Sequence, residues 1–227
     1  MKTPLGTGRS TSRQDVPAYH HGDLRNALLR EARLLLEEKG VAELSLRECA
    51  RRVGVSEAAP SKHFAGKEGL LAGIAADGFR DLAARRLATI DANLGKLAKA
   101  RQMMLTYVRY AQENRGVFNL MVGPRIMDLS RHVELSEEAR KSFDLFSTSL
   151  VDLALECGWP RSQVEFVAHS AWATEHGLAT LILADRAPRP DRNLELERMI
   201  DFSIDMALSA VVAGPAALRA VVKAGRS

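Results

Sequence analysis

The chain has little of what several protein classes depend on. It holds only two cysteines, Cys49 and Cys157, each inside an apolar helical pattern. That excludes a disulfide framework and a thiolate metal cluster, and it points to a reducing, cytoplasmic setting. The first 20 residues carry no apolar stretch, and no later run reaches the roughly 18 uninterrupted apolar residues of a membrane span. Neither a secretory leader nor a membrane anchor is expected. Alternating strand patterns never last beyond a few residues, and glycine-rich phosphate loops are absent. No Ser, Cys or His sits in a nucleophile elbow or metal-binding spacing. Catalysis, a metal and a cofactor are therefore not expected. What is present is ordinary globular composition over 227 residues, 46% apolar and 26% charged, enough for one large domain or two smaller ones.

The net charge of +4 is unevenly placed. Residues 1–67 hold 12 Lys and Arg against 8 Asp and Glu, and the remainder is balanced. The whole excess lies in the first third, which suggests a polyanion partner there. Residues 1–19, rich in Thr, Ser, Gly and Pro with Lys2, Arg9 and Arg13, read as a disordered basic arm. From Gly22 onward the apolar period is helical: Leu24, Leu28, Ala32, Leu35 and Leu36 share a face until Lys39 and Gly40 supply a stop.

Ser45-Leu46-Arg47-Glu48 fits a capping box, with the Ser hydroxyl accepting from the third amide and the Glu reaching back to the cap amide. The short helix it starts ends at Gly54. Ser56 is expected to cap a third helix of about seven residues. Pro60 would fall at its fourth position and forfeit a single bond, so the helix is expected to survive. Two short helices joined by Gly54-Val55-Ser56 make a helix-turn-helix, whose second helix enters the DNA major groove. Six further helices are expected at about 67–92, 96–114, 117–122, 135–158, 161–186 and 192–213, giving an all-α chain of about nine helices.

Tyr19 to Leu71, with Gly54-Val55-Ser56, His63-Phe64 and Lys67-Glu68-Gly69-Leu70-Leu71, resembles the DNA-binding domain of TetR-type transcriptional regulators. The resemblance implies a three-helix DNA-binding domain at 20–66 after the arm at 1–19. It also implies a larger helical ligand-binding and dimerisation domain at 67–227. Its expected partners are double-stranded operator DNA, a small-molecule effector and a second copy of the chain, with no membrane. Carried over by position, Ser45 and Lys67 resemble helix-cap positions that hold phosphates. Ser56 and Glu57 resemble the base-facing start of the recognition helix, and His63 a backbone-contacting position with Lys62 beside it. Ser61 stands where many members have a longer Tyr, and Pro60 where many have Leu. That leaves the phosphate contact at 61 shortened, lost or water-bridged. The recognition helix carries no Arg, so a guanine fork would have to come from Arg47, Arg51 or Arg52.

Trp172 and His176-Gly177 resemble a Trp-His-Gly motif of one TetR-type subgroup. Glu165, His169, Trp172 and His176 share a helical face, read first as an ordinary helix interface with satisfied histidines. Met103, Met104, Phe118, Met121, Met127, Phe143 and Phe146 give the middle of the chain a soft apolar character suited to a pocket. Phe118, Met121, Phe143, Trp172 and His176 are the pocket candidates. Leu178, Leu181 and Ile182, with Met199, Ile200, Ile204, Leu208 and Val211, form stripes that either face a partner subunit or are buried within the chain. The reading is a ligand-responsive regulator, most simply a repressor released from a palindromic operator. A constitutive architectural DNA binder is the alternative, and an enzyme is disfavoured.

Overall fold

The computed structural model describes residues 21–123, 131–184 and 195–225. Among them are eight α-helices and no strand: α1 (His21–Glu43), α2 (Leu46–Val53), α3 (Gly66–Ala88), α4 (Lys96–Glu113), α5 (Arg115–Val122), α6 (Val133–Glu156), α7 (Val164–Leu183) and α8 (Leu196–Ala224). The basic arm with Lys2, Arg9 and Arg13, and Met127, lie outside the described residues.

The ends of the first two helices follow local chemistry. α1 breaks at Gly40, where φ is +76°. Ser45 Oγ accepts from the Glu48 amide at 3.2 Å. The other half of the expected capping box does not form, because the Glu48 carboxylate takes Arg51 Nε and Nη2 at 2.8 and 2.6 Å. A charge-assisted fork outcompetes a single neutral amide. Gly54 closes α2 in the left-handed region at φ +77°. Its amide donates to Arg51 and that of Val55 to Ala50, the paired bonds of a Schellman ending, which a side-chain-bearing residue would strain.

The third element departs from expectation. Residues 56–64 form no α-helix; they make a turn closed by the Ala59 amide on the Ser56 carbonyl, then a single 3-10 turn at Pro60–Lys62. Pro60 has no N–H to return to Ser56, and its ring crowds that carbonyl, so the loss falls where a seven-residue helix has no bonds to spare. The buried Pro60 ring and Phe64 anchor the segment instead.

The apolar core forms two clusters. One joins α1, α2 and the start of α3 to Tyr107, Tyr110, Phe118 and Met121, and the other fills the space among α4, α6, α7 and α8. α3 belongs to the first and touches the second through Arg86, whose guanidinium lies over Phe146. Polar ties reinforce the first: Arg33 donates to Asp77 and Asp81 on α3 at 2.7 and 3.0 Å. Glu37 accepts from the Gly116 and Val117 amides at 3.1 and 3.0 Å, so a carboxylate of α1 caps α5, where helix-end amides favour negative charge.

α8 continues past the expected end at 213 to Ala224, broken at Gly214 (φ +77°) before Pro215. It is long and apolar enough by length and composition to cross a membrane. Ile200, Ile204, Leu208 and Val211 are buried within the chain, and Arg101 of α4 holds Asp201 and Asp205 at 2.7 and 2.6 Å. That stripe is therefore intrachain core. The opposite face of α8 shows Phe202, Met206 and Val212 to solvent, as α7 shows Phe166 and Leu181.

Candidate functional site

The N-terminal polar residues divide into exposed and committed groups. Ser56, Glu57, Ser61 and Lys62 are exposed and His63 is half-buried, all on the irregular segment after Gly54. Arg47 Nε donates to Glu57 at 2.8 Å, with both side chains largely exposed. Ser61 Oγ donates to the Ala58 carbonyl at 2.7 Å, so its short side chain bonds within its own turn. Arg51 grips Glu48, whose carboxyl is held down at about 2, chiefly by that hydrogen bond. Arg52 is only 20% exposed and lies among Glu31, Glu38 and Glu48, tying α2 to α1. Lys67 Nζ donates to the Val41 and Ala42 carbonyls at 2.7 and 3.2 Å, groups left open by the break at Gly40. Ser45 is spent on its cap. Of the ten residues expected to face DNA, Arg47, Arg51, Ser56, Glu57, Ser61, Lys62 and Lys67 are exposed, and Ser45, Arg52 and His63 are half-buried.

Between α3, α4, α5, α6 and α7 lies a half-open cavity of about 270 Å³. Of the pocket candidates, Met121, Phe143, Trp172 and His176 are among its lining residues. Phe118 is not; it stands behind, edge-on to Tyr107 with ring centroids 5.3 Å apart. Phe143 meets Trp172 at 87°, and Trp172 stacks on His176 at 5.4 Å. α3 contributes Phe79, Leu82 and Arg86.

The polar end of the cavity went unread in the sequence. Arg86 is buried, and its Nη2 donates to Glu175 at 2.7 Å, with side-chain exposures of 3% and 0%. Nε and Nη1 donate to the Met103 and Ser142 carbonyls at 3.2 and 3.4 Å. The guanidinium lies over Tyr107 and Phe146, 5.2 and 4.9 Å from the ring centres, a desolvated cation–π arrangement. Glu175 Oε2 is buried without a partner among the described residues. Burial pushes the Glu175 carboxyl up to about 8, against the pull of Arg86. The Tyr107 hydroxyl and His176 Nδ1 are 2.9 Å apart, and burial lowers the imidazole's proton affinity. His169 bonds its own Glu165 carbonyl at 2.8 Å. Among the described residues, no three His, Cys, Asp or Glu are placed to hold a metal.

A legible signal existed. Phe79, Leu82 and Arg86 lie at i, i+3 and i+7, and Ala168, Ala171, Glu175 and Ala179 repeat the same spacing on α7. Both charges fall on apolar faces, where a charge must be paired.

A second hollow of about 590 Å³, almost wholly apolar, lies between α7 and α8, bordered by Phe166, Val211, Leu218 and Val221.

Residues 28–74 match the model of "Bacterial regulatory proteins, tetR family", and residues 100–206 that of "Tetracyclin repressor-like, C-terminal domain". Neither description names a Trp-His-Gly subgroup. No curated protein matches the chain. Among solved structures, it is similar to a protein of unknown function from Rhodococcus sp. RHA1, 29% identical with a TM-score of 0.71, covering 86% of this chain and 98% of that one. It is also similar to PfmR, a TetR family transcriptional regulator from Thermus thermophilus, at 21% identity and a TM-score of 0.58 over 80% and 97%. A TetR variant from Acinetobacter baumannii AYE in complex with minocycline shares the fold at 16% identity and a TM-score of 0.55 over 82% and 94%.

Proposed function

We propose, for a chain that belongs to the TetR family of bacterial regulatory proteins, that it is a repressor which binds a palindromic operator as a homodimer and lets go when a small molecule fills the core cavity. The observation carrying this reading is the course of α3. Its first turns pack on the helix-turn-helix, with Gly73 close against Phe64 and Leu29, and its later turns supply Phe79, Leu82 and Arg86 to the cavity. α5 adds a second route, since Met121 and Val122 line the cavity while Glu37 of α1 caps the other end of that helix. A ligand that fits one position of α3 and α5 better than another shifts the spacing of the two recognition segments, by as much as its differential affinity.

On the DNA side, Lys62 and His63 are assigned to phosphates, and Ser56, Glu57 and Arg47 to base edges. The Arg47–Glu57 pair opens to place its guanidinium on a guanine and its carboxylate on a cytosine amine. The domains are assigned as 20–66 for DNA and 67–227 for ligand and dimer. The exposed face of α7 and α8, with Phe166, Leu181, Phe202 and Met206, is assigned to the partner subunit, because two segments must meet one face of the duplex about 34 Å apart.

Selection of bound fragments from a randomised duplex pool tests the DNA reading. A palindrome with half-sites about one helical turn apart is expected. Weak, steeply salt-dependent binding without sequence enrichment would refute it.

A further inference from the structure

The effector reading leaves the ligand's chemistry open, and the cavity's polar end narrows it. Arg86 is the one fixed charge among the described residues lining the cavity; no Asp or Glu is among them. A guanidinium has five N–H donors, and three are spent, on Met103, Ser142 and Glu175. One N–H remains on each terminal nitrogen. The guanidinium carbon lies over the rings of Tyr107 and Phe146, and Arg86 lines the cavity. Phe79, Phe143 and Trp172 supply flat apolar walls. The volume, about 270 Å³, equals the room of about nine water molecules, which suits one or two fused rings.

We infer that the effector is a small planar aromatic acid, its carboxylate gripped by the free edge of Arg86 and its ring held between Trp172, Phe143 and Phe79. This rests on the effector reading above. Glu175 makes the grip reversible. It accepts from Arg86 of α3, is not among the residues that line the cavity, and interacts electrostatically with Arg86 and with Tyr107 of α4. When an incoming carboxylate shares Arg86, two carboxylates compete for one guanidinium, and one of them must take a proton. Glu175, already raised by burial, is the one that does, with its unpartnered Oε2 as the site. Below about pH 8 Glu175 already holds that proton; above it, binding of the acid takes up a proton at Glu175 and weakens as pH rises.

The test uses 1-naphthoate, its neutral carboxamide and 1-naphthylmethylammonium as probes, titrated calorimetrically into the full-length protein at about pH 6.5 and about pH 9 in buffers of differing ionisation enthalpy. Naphthoate is expected to bind about tenfold or more tighter than the amide, with proton uptake at about pH 9 and almost none at about pH 6.5, where Glu175 already holds its proton, and the ammonium to bind least. Arg86→Gln should lose the preference for the acid. Because that variant unpairs a buried charge, Glu175→Gln, which keeps the shape and the bond to Arg86, gives the independent reading. It should bind naphthoate more tightly at about pH 9 and take up no proton.

An amide bound as tightly as the acid, no probe bound at millimolar concentration, or an ammonium bound tightest with Glu175→Gln abolishing it, would overturn the inference. Operator release, followed by fluorescence anisotropy, separates the two readings. An acid that binds with these properties but leaves the operator occupied refutes the effector role and leaves the ligand class standing. Release by the amide or ammonium, and not by the acid, refutes the ligand class alone.

Discussion

Arg86 and Glu175 set the energetics of the core because neither can reach water. Removing one partner of a buried pair strands the other, at a cost of about 3–5 kcal/mol. Arg86→Met is expected to lose stability on that scale in urea denaturation, and pairing it with Glu175→Leu should recover much of the loss. A double variant no more stable than Arg86→Met would show that the pair is not the reason. The pH dependence has a definite sign. Folding raises the Glu175 carboxyl to about 8, so the folded chain binds that proton more tightly than the unfolded chain does. Its contribution is fully present below the unfolded value and fades as pH rises through about 8. Glu175→Gln lacks this decline. The melting temperature of Glu175→Gln minus that of the wild type should therefore climb between about pH 5 and about pH 9. A flat difference would contradict the burial-driven shift.

Between elements, close approach matters more than propensity. A Cβ at Gly78 of α3 would lie 2.6 Å from Val117 Cγ1 and 2.7 Å from Met121 Sδ on α5. Gly78→Ala must displace the Val117 and Met121 side chains of α5, at a cost of about 1–3 kcal/mol. Because Met121 lines the cavity, ligand affinity should fall with stability. Unchanged melting and unchanged binding would mean that α5 yields freely. Pro60 governs the recognition segment in a different way. Pro60→Ala restores an amide that can donate to Ser56, which should draw residues 57–63 into a regular α-turn. Hydrogen exchange at residue 60 and a changed operator preference are the readouts, and unprotected exchange there would show that Pro60 is not what holds the segment in 3-10 form.

At the scale of the whole molecule, α8 is apolar on two sides. Ile200, Ile204 and Leu208 fill the chain's own core, while Phe202 and Met206 are 67% and 57% exposed. Phe166 and Leu181 on α7 are exposed as well, and exposed apolar surface of this kind is what a partner subunit would cover. Phe202→Glu is expected to shift the protein from dimer to monomer in sedimentation velocity. It should also weaken operator binding by orders of magnitude, since one recognition segment then binds without its pair. A dimer that survives Phe202→Glu would place the subunit interface elsewhere. The two ties of α1, Arg33 to α3 and Glu37 to α5, fix the first helix to two helices that line the cavity.

The sequence by itself determined the features whose partners lie within a turn or two. The Ser45 cap and the Gly54 ending are local hydrogen-bond geometry, and the helical periods follow from apolar spacing. Four of five cavity candidates, Met121, Phe143, Trp172 and His176, were legible because soft and aromatic residues stood on helix faces pointing inward. Only the tertiary structure decided the rest. Arg86 and Glu175 are 89 residues apart, and no local rule pairs them, although each interrupts an apolar stripe. Both faces of α8 carry apolar residues, and packing against α4, α6 and α7 selects which is core. Arg52 and Lys67 look free on a helical wheel, yet Glu38 and the carbonyls of Val41 and Ala42 claim them once α1 lies alongside. Short-range bonds depend on neighbours in the chain, whereas burial and charge pairing depend on which surfaces meet, and that is settled by the fold as a whole.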